Sequence, residues 1–402
     1  LNALVEIQRC GCSALEVKET ACAAAANTLP WRLSQLESAP LTARKPGEAR
    51  CGRGTALWLL IAALCLAEVP RALAQASTLH LGLPISADSP TGQNIREFAR
   101  QVAARTNGAI RIDIQGDNQS YDEQGVLSAV ASGAIEMGAT PLSQFARDVP
   151  IAAAFLQPFL FNFDALVQAA TSPQSEIRVL IDEEILSRTG VRVLWWQPYG
   201  SSVLLERSIA ATNPSALATR IVGAPDRQMR DLIRVCGGAP TPVSPASLFI
   251  ELQNGTVEAA AADIMNVGER DLWRVAKTIV DLRHAPSLFM VVISDTSWQR
   301  LSHEQQAIFV ELARDAQDYM WARFATIRAQ AYAFALLKGM RIVELPAEDV
   351  ASWRACSAPL LEEYADRAGD AGSKLFKAYG KLRTDSCCRD APRDEALPFI
   401  LR

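Results

Sequence analysis

The sequence predicts an α/β protein with two α/β lobes, a cleft between them and a long bridging helix. Three observations carry this expectation. Strand-like and helix-like segments alternate from Thr78 to Thr140, and the alternation restarts near Gly190. The chain later runs from Ser302 to Lys338 without a glycine or proline. Strands that alternate with helices of this length imply a largely parallel sheet covered on both faces. At 402 residues the chain is long enough to divide into more than one domain.

The first strand is TLHLGLPIS, which alternates from Thr78 and breaks at Pro84. Ile95, Phe98 and Val102 then recur at helical spacing until Asn107-Gly108 stops the helix. Ile110, Ile112 and Ile114 share one face of a second strand. A helix over 121–132 ends at Gly133, and IEMGAT is a third short strand. The second set opens with VRVLWWQPYG, SVLLERSI and a strand over Ala218–Val222. A helix over 226–236 follows, with Met229, Leu232, Ile233 and Cys236 on one face and Gly237-Gly238 after it. SLFIELQNG is a shorter helix and TVEAAAAD the next strand. Ser302 and Gln305 then have capping-box spacing, and Gly339 ends the long helix. At 1.5 Å per residue that helix is on the order of 50 Å long, enough to lie along both lobes. Its aromatic residues Tyr319, Trp321, Phe324, Tyr332 and Phe334 read as core rather than as a binding stripe.

Net charge is -4, with 49% hydrophobic and 21% charged residues, and no basic block invites nucleic acid. Arg44, Lys45, Arg50 and Arg53 precede an uncharged apolar run from Ala56 to Ala67, and Ala-x-Ala patterns follow at 72–74 and 74–76. Such a segment reads as a secretory signal peptide over 53–76. Glu68, Pro70 and Arg71 end the run well before the about 20 residues that a membrane span needs. Residues 1–52 are read as an upstream segment from a start codon assigned too early. Eight of the 40 basic and six of the 44 acidic residues lie in the first 76, so the remainder is mildly acidic. Cys236, Cys356, Cys387 and Cys388 remain after that point. Disulfides are open to them in an oxidising compartment, and Cys236 reads as a small buried hydrophobe on its helix. No Cys-x-x-Cys occurs there, and the histidines at 80, 284 and 303 lack metal-ligand spacing. With no Gly-x-Ser-x-Gly and no phosphate-binding glycine loop, neither an enzyme nor a cofactor is expected.

NIREFARQVAARTNGAIRIDIQGDNQ, VLSAVASGAIEMGAT and FLQPFLFNFDAL resemble successive blocks of the receptors of tripartite ATP-independent periplasmic (TRAP) transporters, the dicarboxylate-receptor family. VCGGAPTPVSPASLFIELQNGTVEAAAAD and HAPSLFMVVISDTSWQRLSHEQQ extend the resemblance over about 78–384. It implies a type II periplasmic-binding fold, with lobe one at 77–200 plus about 288–320. Lobe two would take 201–287 plus part of 321–384, leaving a polar tail at 385–402. It also implies a monomeric periplasmic receptor that takes a small-molecule solute, usually an organic acid, to membrane permease subunits. Hinges are expected near Tyr199–Ser202 and His284–Leu288. A sensor or scavenger of the same fold is the competing class.

In that family an arginine clamps the ligand carboxylate. Counting back from Gly237 places it at Val222, and a second family arginine falls near Ser202. The family's stacking aromatic falls at Pro245 and a pocket asparagine at Ala262. Valine cannot replace a bidentate arginine fork, so a neutral or amine-bearing solute stands beside the organic acid. Trp195 is expected in the core, with Trp196 and Tyr199 forming an aromatic wall. Thr140 and Gln144 offer neutral hydrogen bonds. Arg227 is either an anion contact or a solvated surface arginine, and Asp263 either a pocket residue or a helix cap. His284 is expected to make a structural hydrogen bond.

The export reading predicts a mature N-terminus between Gln75 and Ser77, to be checked by intact-mass measurement of secreted protein. Retention of residues 1–52 would contradict it.

Overall fold

The computed structural model describes residues 77–116, 121–208 and 210–384, all within the unit Pro70–Arg402. The expected upstream segment, signal peptide and polar tail, with Cys387 and Cys388, lie outside the described residues.

The first lobe opens with β1 (Ser77–Gly82), α1 (Pro90–Arg105), β2 (Ile110–Gln115), α2 (Glu123–Ser132) and β3 (Met137–Pro141). β1 pairs in parallel with β2 on one side and β3 on the other. Ser89 caps α1 by accepting from the Gly92 amide, and Asp122 caps α2 by accepting from the Gly125 amide. Helices α3 (Asp164–Ala170) and α4 (Glu176–Thr189) lead into β4 (Val191–Glu206).

The second lobe holds β5 (Ile221–Ala224), α5 (Arg227–Val235), β6 (Ala239–Pro242), α6 (Leu248–Asn254), β7 (Ala259–Asp263), α7 (Ile264–Glu269) and β8 (Thr278–Asp281). The chain returns through β9 (Pro286–Ser294) and α8 (Asp295–Gln299), then α9 (His303–Leu337), β10 (Arg341–Glu344) and α10 (Ala347–Thr384).

The strand order is β2-β1-β3-β9-β4-β7-β5-β6, with β8 joining β4 to β10. The outer strands are parallel, as expected. The centre is not: β9 is antiparallel to both β3 and β4, and β4 is antiparallel to β7 and β8. The two strand segments expected after Gly190 are one continuous strand. β4 pairs with β9 from Val191 to Ser201, then with β8 from Leu204 to Glu206. Between β8 and β9 the residues Leu282–Ala285 bulge out of this pairing, and Arg283 takes a positive φ of 44°. The strand expected at 218–222 lies slightly later, at 221–224, because Thr219 has a φ of 67° and breaks extended backbone.

Helix α9 carries the predicted capping box, with Ser302 and Gln305 bonded reciprocally. It packs on α1 and β4 near its start and on α7 and β10 towards its end, so it spans both lobes. Trp321 and Phe324 are buried, whereas Tyr319 is half exposed. Helix α10 also serves both lobes. Trp353 and Leu360 enter the second-lobe core, and Tyr364, Phe376 and Tyr379 enter the first. Gly369 at φ 55° and ψ -139° bends the helix between Tyr364 and Phe376.

Cys236 is not a lone hydrophobe. It forms a disulfide with Cys356 of α10, 120 residues away, and thereby ties α5 to α10. Its position on the buried face of α5 was readable; its partner on a remote helix was not. Cross-linking so long a loop removes much unfolded-chain entropy. Replacing Cys356 by serine is expected to lower unfolding stability by about 2–5 kcal/mol in denaturant titrations. An unchanged midpoint, with free thiols at both positions in the parent protein, would contradict the link.

Candidate functional site

A cavity of about 130 Å³ lies where the lobes meet. It is comparable to the ~150 Å³ space that holds a benzene ring in an engineered core. The first lobe lines it with Glu123 at the start of α2, Pro141 at the end of β3, the turn Leu142–Gln144, and Leu156. The second lobe supplies Asp226 and Gln228 at the start of α5, then Pro245, Ala262, Asp263 and Asn266. The crossing strands add Tyr199 and Ser202 from β4 and the run His284–Phe289. The residues of β4 divide between two spaces, alternating from Pro198 to Gly200 but not from Gly200 to Ser201. Pro198, Gly200 and Ser201 face a second cavity of about 190 Å³ on the other side, with Arg283 and Arg328.

Asp263 is both of the things expected of it. Its Oδ1 accepts the Met265 amide at 2.8 Å and caps α7, while the side chain also lines the cavity. Oδ2 makes no hydrogen bond of ordinary geometry, although the Ser287 hydroxyl stands beside it. A Cβ on Gly200 would sit 2.0 Å from Asp263 Oδ1, so the carboxylate packs directly on that glycine. Burial pushes the Asp263 carboxyl up to about 7, against the pull of the Met265 amide, and nearby Glu269 and Glu123 add to the rise.

Glu123 behaves alike. Burial pushes it up to about 7 although Arg270 lies 3.8 Å away, and Asp122, Asp226 and Glu269 add repulsion. Asp226 caps α5 through the Met229 amide, and burial raises its carboxyl too. Tyr199 donates to Glu269 at 2.6 Å, and its ring lies 4.7 Å from that of Phe289. His284 is 5% exposed with Nδ1 unpartnered, and burial pushes it down to about 4. The structural hydrogen bond expected at His284 comes from its backbone instead, whose carbonyl accepts the Phe159 amide at 2.5 Å.

Gln144, Tyr199, Ser202 and Asp263 are therefore brought together, with Pro245 and Ala262 beside them. Thr140 is fully buried one residue short of the cavity, where its hydroxyl donates to the Glu123 carbonyl at 3.3 Å. Three expected residues lie elsewhere. Trp196 is not an aromatic wall: helices cover both sheet faces, so Trp195 and Trp196 are both fully buried. Trp196 donates to Asp182 at 2.8 Å in the first-lobe core. Val222 is also fully buried, in the second-lobe core. Arg227 is a surface arginine, 62% exposed at the side chain and paired with Asp231 at 3.3 Å. Glu123, Asp226, Asn266 and Gln228 were missed. Each sits at a helix start or on a polar helix face, where sequence alone reads capping or solvent.

Two lobes crossed by paired strands, with a largely apolar cavity that carries a few carboxylates and is walled by both lobes, define a solute-trapping receptor. The profile of the bacterial extracellular solute-binding proteins, family 7, matches residues 82–367, and the chain belongs to that family. It is 21% identical over 297 residues to the sialic acid-binding periplasmic protein of Vibrio cholerae, covering 73% of this chain and 90% of that one. It is likewise 21% identical over 314 residues to a C4-dicarboxylate-binding periplasmic protein of Rhodobacter capsulatus, covering 76% and 92%. A Bordetella pertussis extracytoplasmic solute receptor binding pyroglutamic acid superposes with a TM-score of 0.72 at 19% identity, over 76% of this chain and all of that one. A TRAP solute-binding protein of Chromohalobacter salexigens with bound D-glucuronate superposes at 0.71 and 18% identity, over 75% and 99%.

A carboxyl whose folded pKa is raised favours folding while protonated and loses that advantage as pH climbs through the folded value. Asp263→Asn keeps a capping oxygen but no charge. Without ligand, the variant is expected to gain stability relative to the parent as pH rises from about 5 to 8, followed by urea unfolding. A constant difference across that range would contradict the burial of Asp263 as described.

Proposed function

We propose that the protein is a monomeric periplasmic receptor that captures a small organic solute between its lobes and hands it to the membrane permease subunits of a TRAP transporter. The observation that carries this reading is the cavity itself, walled by both lobes and by both crossing strands. Burial between lobes supplies most of a small ligand's contact, and hinged closure holds it. The hinge is read near Tyr199–Ser202 and His284–Leu288, beside the register shift of β4 between Pro198 and Gly200 and the bulge at Leu282–Ala285. Lobe one is read as 77–200 plus about 288–320, and lobe two as 201–287 plus part of 321–384. Export through the 53–76 leader brings the chain to the periplasm. Among the described residues no helix is long and apolar enough to cross a membrane. The protein acts by binding rather than by catalysis.

Relatives that bind organic acids make that class the first to test. Any solute at 100 times its dissociation constant is expected to stabilise the protein by about 2.7 kcal/mol. The scattering radius should shrink with it. Ala262→Phe, which fills the cavity, should abolish both effects, whereas binding that survives this change would place the site elsewhere. Permease genes beside this one support the transporter reading; a histidine kinase gene in their place would favour a sensor.

A further inference from the structure

The lining side chains carry three carboxylates, Glu123, Asp226 and Asp263, and no lysine or arginine. Two cations stand behind them. Arg270 lies 3.8 Å from Glu123, and Arg230 is near Asp226, where its guanidinium donates to the Ala224 and Pro225 carbonyls. Glu269, behind Tyr199, adds a fourth carboxylate. Asp226 and Asp263 each accept a helix-cap amide and Glu123 has Arg270 at 3.8 Å, so three lining carboxylates share the charge of Arg270 and Arg230.

His284 is a separate indication. It is neutral, buried and on the cavity wall, with Nδ1 unpartnered. Asp263 also has an oxygen, Oδ2, without a hydrogen bond of ordinary geometry, although the Ser287 hydroxyl stands beside the carboxylate. Buried polar atoms in native structures are ordinarily satisfied, by protein, water or ligand. Ionised carboxylates only accept, so the occupant that satisfies them donates. An ammonium supplies up to three donors and a positive charge. Tyr199 lies on the same wall.

We propose that this cavity takes a small organic cation bearing a primary or secondary ammonium group, held by Glu123 and Asp263 with His284 as a further acceptor. The proposal rests on the receptor reading and names its solute class. Seating the ammonium ionises both carboxylates, so binding releases protons when it occurs below their ligand-free values near 7. Amine affinity therefore rises with pH. An organic acid would do the reverse, because protonated Glu123 and Asp263 are its only favourable form there. Asp122, Asp226, Glu269, Arg270 and Arg230 act on the same groups and are common to both cases.

Titration calorimetry of the mature chain tests this with ethanolamine, putrescine and agmatine against pyroglutamate, glucuronate and succinate, at pH 6 and pH 8. The expected result is amine binding that strengthens at pH 8, by about tenfold per pH unit where one proton is released. Glu123→Gln and Asp263→Asn should each weaken it about 30-fold or more, the cost of breaking a buried charge pair. Both variants remove charge at nearly constant shape, and unchanged circular dichroism checks their fold. Binding of an acid that weakens as pH rises, with no amine bound, overturns the proposal while leaving the receptor reading intact. Binding of neither class overturns both. Amine binding unaffected by either variant also overturns the proposal.

Discussion

The antiparallel crossing of β4 with β8 and β9 is the constraint on which the rest depends. One continuous 16-residue strand belongs to the hydrogen-bonded layers of both lobes. Its partner is a single return path interrupted only at Leu282–Ala285. Each lobe hangs its parallel strands on one end of this pair. Register shifts and the bulge loosen the ladder at its midpoint, where Tyr199 and Ser202, three positions apart, both line the cavity. The same geometry puts the bulged His284 on the cavity wall.

This placement is costly. Desolvation disfavours ionised carboxylates, and several here sit close enough to repel one another. An apolar wall of similar shape would be more stable without ligand. Retaining Glu123 and Asp263 makes sense where a bound group restores their charge balance. Gly200 fits the same logic, since any larger residue would displace the Asp263 carboxylate. Around this site the fold is held firmly. Arg178 in α4 donates to Gln317 at 2.6 Å and to the Thr171 and Leu194 carbonyls, which joins α4, β4 and α9 in one buried network. The disulfide secures α5 to α10 on the opposite lobe.

Much of the fold was legible because it is local. Ile95, Phe98 and Val102 announce a helix by spacing alone, the Ser302–Gln305 box marks the start of α9, and Gly133 and Gly255 stop their helices with left-handed φ. Long-range facts were not legible. Nothing local says that β4 continues through Pro198 or that Cys236 meets a residue 120 positions on. The site was half legible. Gln144 and Tyr199 follow from strand ends near the crossing, and Ser202 and Asp263 from the resemblance to the receptor family. Trp196 misled because an alternating strand has one exposed face only when its sheet has one. Glu123 and Asp226 hid as helix-start acids, a role that Asp226 does fill.

A solved structure of the receptor purified with its own solute tests the central claim most directly. The account predicts density between the lobes with an ammonium nitrogen within hydrogen-bond reach of both Glu123 and Asp263. A carboxylate in that position, or a ligand bound instead beside Arg283 and Arg328 in the second cavity, would contradict it.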